Sequence, residues 1–248
     1  MGDFFRVENL CKNFGNLLAL DRITFKVERG EVLGLIGPNG AGKTTLFNVV
    51  TGFFRCSSGK IVFRGKDTSK LSPDKLAAEG MIRTFQIPKP FKELTVGENV
   101  AVGTLFNPGR IRKLSISTAE FVDRVLKGVK LDSFKDDSAS VLGYGNLKLL
   151  ELGRAQGAVP ELLLLDEPFA GLNAIEIESI SQILRALAKE GLTLIIVEHR
   201  LRELMKLISR VIVLYYGKKI ADGAPQDVSR DKRVLEAYLG KRWASDNA

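Results

Sequence analysis

The sequence has few cysteines, a single histidine and no long hydrophobic run. Its two cysteines, Cys11 and Cys56, lie far apart and belong to no CxxC pair, so neither a disulfide framework nor a zinc site is predicted. The apolar runs, such as 192–197, fall well short of the roughly 18 residues that a membrane span needs. No basic start leads into an apolar stretch, so we expect no secretory signal peptide. These absences favour a protein of a reducing compartment that does not cross a bilayer.

The chain also lacks a block of like charge. Lysine and arginine number 37 against 29 aspartates and glutamates, which gives a net charge of +8. The basic residues are scattered and no five are consecutive, so they indicate solvated surface charge more than a nucleic-acid or lipid-binding patch. Lys241, Arg242 and Trp243 give only a weak indication of membrane proximity.

Short β-rich runs alternate with helical stretches, without repeats or low-complexity tracts, and this alternation predicts an α/β layered domain. Strands are predicted at 5–10, 23–27, 32–36, 60–64, 162–165, 192–197 and 211–215. Helices are predicted at 43–51, 72–80 and 146–157, after Asn173, and at 230–239.

The middle of the chain differs from the rest. Pro88, Pro90 and Pro108 interrupt it, and two capping boxes start helices, Thr95 with Glu98 and Ser117 with Glu120. We therefore predict one domain over 1–248, whose core is formed by 1–86 and 144–240. A helical subdomain is inserted at 87–143, and 241–248 is a tail.

A glycine-rich turn joins the predicted strand 32–36 to the helix at 43–51 and matches the phosphate-binding pattern G-x-x-x-x-G-K-[ST]. The turn consists of Gly37, Pro38, Asn39, Gly40, Ala41, Gly42, Lys43 and Thr44. Glycines let a backbone wrap a phosphate closely, and the helix N-terminus offers free N–H donors. We expect Lys43 to contact the β- and γ-phosphates of ATP, Thr44 to ligate Mg²⁺, and Thr45 to bond the α-phosphate. The alternative is a glycine turn without a ligand.

Two carboxylates follow the apolar run 162–165. In parallel sheets ligand sites lie at the carboxyl ends of strands, so Asp166 and Glu167 are placed to act on a bound nucleotide. Asp166 is expected in the Mg²⁺ shell, and Glu167 is expected to polarise the attacking water. A helix-start or solvated carboxylate is the alternative for Glu167.

His199 follows another predicted strand, 192–197, and Glu198. A lone histidine is usually structural, but this position at a strand's carboxyl end predicts a catalytic imidazole that meets the γ-phosphate and holds the water geometry.

With these motifs assembled, the chain resembles the ATP-binding subunits of ABC transporters over essentially its whole length. The resemblance implies an α/β P-loop NTPase core with a mixed sheet, an N-terminal antiparallel β portion and an inserted helical subdomain. It implies that Phe14 stacks on adenine and that Gln86, in Arg83-Thr84-Phe85-Gln86, links the nucleotide to a membrane subunit. The resemblance therefore implies that Gln86 acts both in catalysis and as a metal ligand. The implied cofactors are ATP and Mg²⁺.

Such subunits form head-to-tail dimers in which each ATP lies between the P-loop of one copy and the signature segment of the other. The resemblance therefore implies a second ATPase subunit, identical or distinct, integral-membrane permease subunits, and a peripheral position on the inner face of the cell membrane. Gly143 and Gly145 occupy the signature segment and would contact nucleotide. Gly143 replaces the usual serine, Asn146 the usual glutamine, and Asn173 the usual aspartate of the facing loop. These departures imply reduced rather than abolished activity.

Several segments together look most like the subgroup that serves branched-chain amino acid importers. They include 83–86, 94–100, 170–173, 198–199 and 237–240. Subunits for urea or amide import and for lipopolysaccharide export remain alternatives, because no residue of the chain is expected to contact the cargo. A soluble ATPase acting on nucleic acid or in translation is disfavoured, because no heptad run separates the P-loop from the signature. Intact Glu167 and His199 disfavour a regulator that does not hydrolyse ATP.

Overall fold

The structure is a computed structural model that describes residues 4–239. Residue 240 and the predicted tail 241–248 lie outside the described residues. The strands are β1 Phe5–Phe14, β2 Leu17–Val27, β3 Val32–Ile36, β4 Ser58–Phe63, β5 Lys66–Asp67, β6 Met81–Arg83, β7 Leu162–Asp166, β8 Thr193–Val197, β9 Arg210–Tyr215 and β10 Lys218–Gly223. The α-helices are α1 Lys43–Val50, α2 Pro73–Glu79, α3 Val96–Thr104, α4 Pro108–Lys113, α5 Thr118–Gly128, α6 Tyr144–Gly157, α7 Ala174–Lys189, α8 Leu201–Leu204, α9 Pro225–Val228 and α10 Lys232–Leu239.

The described chain forms two compact units. Unit 1 contains 4–73 and 193–239, and unit 2 contains 74–192. The predicted boundaries of the helical subdomain, 87 and 143, do not coincide with these limits and stay a prediction. Among residues 4–239, no helix has both the length and the apolar composition needed to cross a membrane.

Unit 1 combines two kinds of sheet. One is antiparallel with the strand order β2-β1-β4-β5. In the second sheet, the strands of unit 1 lie in the order β10-β9-β3-β8. Strand β3 is parallel to β8 and β9, and β10 is antiparallel to β9. The five residues of β8 are all buried, because an aliphatic strand between two covered faces leaves no polar side. This arrangement confirms the mixed sheet and the antiparallel N-terminal portion.

Unit 2 is built on a parallel pair of strands and a set of helices. Strand β6 runs parallel to β7, with Met81 opposite Leu162 and Arg83 opposite Leu164. Helices α3 and α6 approach each other closely at Gly103 of α3 and Gly157 of α6. A Cβ on Gly157 would collide with the carbonyl oxygen of Val100, so only glycine allows this spacing.

Both predicted capping boxes are present. The Thr95 hydroxyl accepts the Glu98 N–H and starts α3, and the Ser117 hydroxyl accepts the Glu120 N–H and starts α5. Pro108 marks a break between two helices: α3 ends at Thr104, and Pro108 occupies the first turn of α4, where its missing N–H is not needed. Helix α6 begins at Tyr144, two residues before the predicted start at 146.

One buried amide closes the loop before α3. Asn99 is fully buried; its Oδ1 accepts the Phe91 N–H at 2.9 Å, and its Nδ2 donates to the carbonyls of Phe91 and Thr95, each at 2.9 Å. The Asn99→Ala substitution leaves these buried backbone groups without their partner, and we expect it to lower the free energy of unfolding by about 2–3 kcal/mol. Urea denaturation measures this loss. The exposed Asn13, changed to alanine, serves as a control and should stay within about 0.5 kcal/mol of the unchanged protein.

Candidate active site

The predicted phosphate loop lies where the sequence placed it, between β3 and α1 in unit 1. Gly37 cannot carry a side chain, because a Cβ there would collide with the carbonyl oxygen of Leu214 on β9. Gly42 adopts a left-handed conformation with φ 103° and is the N-cap of α1. Gly42 makes no side-chain hydrogen bond to this helix, and the first N–H groups of a helix are in general available as donors to an anion.

Lys43 directs its ammonium back into the loop. Its Nζ donates to the carbonyl oxygens of Gly37 at 2.6 Å and Pro38 at 3.1 Å, and the residue is buried. The buried charge is therefore solvated by backbone dipoles of the loop itself. A phosphate in the loop would offer this ammonium an anionic partner in place of neutral carbonyls, which strengthens the hydrogen bonds. Thr44 is exposed and Thr45 half-buried at the start of the same helix.

The C-terminal helix α10 also reaches the phosphate loop. The Gly37 N–H lies against the phenol oxygen of Tyr238, and burial of the ring raises the pKa of Tyr238 to about 12, although this N–H acts to lower it. The phenol is therefore neutral at physiological pH. The sequence singled out the segment 237–240 only by resemblance, and nothing in it indicated this contact.

Phe14 ends β1 with its side chain 42% exposed. Its ring meets that of Phe54 edge to face, with centroids 5.4 Å apart, and the Lys12 ammonium lies 4.8 Å from the Phe14 centroid. Lys12 also donates to the Arg55 carbonyl at 2.9 Å. The aromatic that resemblance assigns to adenine is thus fixed by a neighbouring ring and a cation, two supports that the sequence reasoning missed.

In unit 2, Asp166 is the last residue of β7 and is buried. Its Oδ2 accepts a 2.7 Å hydrogen bond from the Arg83 guanidinium, and each of these side chains is 7% exposed. The next residue, Glu167, has φ 50°, a conformation that is uncommon for a non-glycine residue and concentrated at functional sites. The backbone therefore turns sharply as it leaves the buried strand.

The structure brings together the predicted Gln86 and Glu167. The Gln86 Nε2 donates to the Glu167 Oε2 at 2.7 Å, and Gln86 is exposed while Glu167 is half-buried. A carboxylate oriented by an amide in this way can accept a proton from water with its remaining lone pairs. Its role as a base stays a prediction.

His199 follows β8 in unit 1, and its backbone is fixed by its neighbour. The buried Glu198 carboxylate accepts the N–H groups of His199 at 2.7 Å and Arg200 at 3.0 Å. The imidazole itself is exposed at the carboxyl end of the strand, as the sequence predicted.

The altered signature segment begins α6. Gly143 is the N-cap without a side-chain bond, and the Glu176 carboxylate occupies the space that a side chain at Gly145 would need. Asn173 caps α7: its Oδ1 accepts the N–H groups of Ile175 and Glu176 at 2.9 and 3.0 Å. Asparagine serves this cap as well as aspartate does, so the substitution at 173 preserves the start of the helix.

Sequence reasoning missed two residues of α6, the buried Lys148 and the half-buried Glu151. The Lys148 Nζ donates to the carbonyl of Gln86 at 2.7 Å and that of Glu167 at 3.3 Å. The Glu151 Oε1 accepts the Phe85 N–H at 2.7 Å. Their only signal in the sequence is that two charged residues lie within the apolar run 147–152, which gives no indication of their partners.

Comparison with known proteins agrees with this geometry. A family model described as ABC transporter matches residues 20–170, and one described as branched-chain amino acid ATP-binding cassette transporter matches 218–244. A probable branched-chain amino acid transport ATP-binding protein of Archaeoglobus fulgidus is 40% identical, with 95% of each chain covered. The high-affinity branched-chain amino acid transport ATP-binding protein BraF of Pseudomonas aeruginosa is 36% identical over 95% of this chain and 97% of its own.

Solved structures are similar as well. A nucleotide-free ATP-binding cassette from an ABC transporter superposes with a TM-score of 0.86 at 35% identity, covering 97% of this chain and 100% of that one. An ATP-binding cassette in its ADP conformation gives the same TM-score, identity and coverage. These matches confirm the α/β P-loop fold and the predicted resemblance. The chain belongs to the ATP-hydrolysing, ATP-binding cassette family of ABC transporters.

Proposed function

We propose that this chain hydrolyses ATP to energise the import of branched-chain amino acids through membrane permease subunits. The observation that supports this substrate class is the 35–40% identity, over nearly the whole chain, to proteins named for branched-chain amino acid transport. The match at 218–244 to the family model of the same description supports it further. Permease partners and a peripheral position on the inner face of the membrane follow from this proposal.

The phosphate loop supplies the charge that holds ATP. Lys43 binds the β- and γ-phosphates, and the N–H groups of residues 37–45 surround the anion. Thr45 bonds the α-phosphate, and Phe14 stacks on adenine. The loop geometry supports the role of Lys43, because its ammonium already lies inside the turn.

Thr44, Gln86 and Asp166 are the residues that would hold Mg²⁺, as the resemblance implies. Within residues 4–239 no three His, Cys, Asp or Glu side chains form a cation site. This suits Mg²⁺, which keeps several waters and takes one or two protein oxygens together with phosphate oxygens. The hydroxyl, amide and carboxylate offered here are all hard oxygen ligands. When bound, Mg²⁺ neutralises charge that develops on the phosphates.

Hydrolysis depends on Glu167 and His199. Glu167, oriented by the Gln86 amide, accepts a proton from the attacking water, and the His199 imidazole stabilises the γ-phosphate geometry. A second ATPase subunit contributes its own signature segment, and Gly143 and Gly145 of this chain contact the nucleotide of that partner.

The Glu167→Gln substitution tests whether Glu167 is the general base of ATP hydrolysis. We expect turnover to fall by at least about 100-fold, because a positioned general base typically contributes this much, while ATP binding is retained. Phosphate release and binding of a fluorescent ATP analogue measure the two effects. Changing the exposed Glu190 to glutamine is the matched control. Wild-type turnover in the Glu167→Gln protein would contradict the assignment.

Light scattering of the Glu167→Gln variant with Mg²⁺-ATP tests whether the second ATPase subunit is another copy of this chain. Blocked hydrolysis should trap a closed pair, so a doubled mass would identify the partner as a second copy. A persistent monomer that binds ATP would assign the partner role to a distinct ATPase subunit.

Uptake in the source cell tests the transported substrate. Chromosomal replacement by the Lys43→Ala form should abolish high-affinity uptake of radiolabelled leucine, isoleucine and valine, because ATP is no longer held. Uptake of urea should be unchanged. Loss of urea or amide uptake, or a defect confined to lipopolysaccharide, with normal leucine uptake would replace the proposed cargo.

A further inference from the structure

One face of α6 carries a line of side chains that contact two separate segments of unit 2. Tyr144, Lys148 and Glu151 are spaced at i, i+4 and i+7, which places them on the same side of the helix. Tyr144 packs against Gly171, and the Lys148 ammonium lies 6.0 Å from the Tyr144 ring centroid. The line therefore runs from the turn after β7 to the loop that follows β6.

Lys148 is the central contact. It is 2% exposed, and its ammonium donates to the Gln86 carbonyl at 2.7 Å and the Glu167 carbonyl at 3.3 Å. These two residues also meet through their side chains, at 2.7 Å between Gln86 Nε2 and Glu167 Oε2. One buried cation thus holds the backbones of the two residues whose side chains are hydrogen-bonded to each other.

Glu151 supports the same loop one residue earlier. Its Oε1 accepts the Phe85 N–H at 2.7 Å. Burial raises the pKa of the Glu151 carboxyl, while the Phe85 N–H and the charges of Lys148 and Arg154 act to lower it, and Asp166 acts to raise it. Lys148 and Glu151 together fix consecutive backbone groups of residues 85 and 86 from a single helix.

The buried Lys148 and the half-buried Glu151 are a costly way to fill space where apolar side chains would pack without desolvation. Their advantage is that hydrogen bonds are directional. Those from Lys148 to the Gln86 and Glu167 carbonyls fix the positions of these groups, which apolar contacts would not do. Misplacing a catalytic group by about 1 Å can reduce turnover by about 100-fold.

We propose that Lys148 and Glu151 are positioning residues for ATP hydrolysis, which hold Gln86 and Glu167 at a fixed separation from α6. The inference rests on the proposed roles of Gln86 and Glu167. It extends the hydrolytic machinery to two side chains that bind neither nucleotide nor metal.

The test compares Lys148→Met, which removes the ammonium but keeps an unbranched chain, with Lys148→Arg, which keeps a buried cation. Lys127→Met, on the exposed side of α5, is the matched control. For Lys148→Met we expect kcat to fall about 10- to 100-fold with KM for ATP changed less than about threefold, and partial recovery in Lys148→Arg. Thermal unfolding of each variant establishes that it is folded.

The second arm places Lys148→Met in the Glu167→Gln background and measures single-turnover hydrolysis. If Lys148 acts through Glu167, the double variant is no slower than Glu167→Gln alone, because effects of residues that act as a unit are not additive. A multiplicative loss, or equal changes of kcat and KM, would overturn the positioning role. Wild-type turnover in Glu167→Gln would instead overturn the proposed base itself, so the two failures are distinguishable.

Glu151 provides an independent variant if Lys148→Met does not fold. Glu151→Gln keeps a carbonyl oxygen for the Phe85 N–H, and we expect kcat within about threefold of the unchanged enzyme, whereas Glu151→Leu should lose about tenfold or more. Equal kcat values for the two Glu151 variants would contradict the inference.

Discussion

The buried ammonium of Lys148 is the contact that joins the segments after β6 and β7 in unit 2. A lysine that is 2% exposed needs strong partners, and here the carbonyls of Gln86 and Glu167 provide them. Each carbonyl belongs to a segment that follows a strand of the parallel pair, β6 or β7. Because the strands end abruptly, with Glu167 at φ 50°, the segments beyond them need an external support. Helix α6 provides this support on one side, and the hydrogen bond between the Gln86 and Glu167 side chains closes the arrangement on the other.

In both Lys43 and Lys148, backbone carbonyls solvate a buried ammonium, but the two arrangements have different consequences. Lys43 binds carbonyls of its own loop, Gly37 and Pro38, at the amino end of α1, where an incoming phosphate is a better partner than a neutral carbonyl. Lys148 binds carbonyls of distant segments in the interior of unit 2, where it joins backbone to backbone. The first arrangement suits exchange with a ligand, and the second suits permanent positioning. Their shared chemistry shows why residue type alone does not separate a binding lysine from a positioning one.

The residues whose place in the fold the sequence predicted are those whose surroundings are set by their immediate neighbours. The turn 37–44 lies between a strand and a helix, and Glu167 follows a fully aliphatic strand, so local pattern and the rule for strand ends were sufficient. The contacts of Lys148 and Arg83 were missed because their partners lie 19 to 83 residues away, and no periodicity encodes such a pairing. The short strands β6 and β10 were missed because β6 has three residues and β10 is largely polar. Pro108 was recognised as a break in the middle of the chain, but the sequence reasoning did not place it in the first turn of a helix, because proline both interrupts and begins helices.

Amide hydrogen exchange of peptides spanning 84–88 and 166–171, in the unchanged protein and in Lys148→Met, tests the joint support most directly. If α6 holds both segments through one ammonium, both should exchange faster in the variant, because the free energy of local opening falls, while α5 exchanges as before. Lys127→Met should change neither segment. Unchanged exchange in both segments, or faster exchange in only one of them, would contradict the claim that a single buried cation positions Gln86 and Glu167 together.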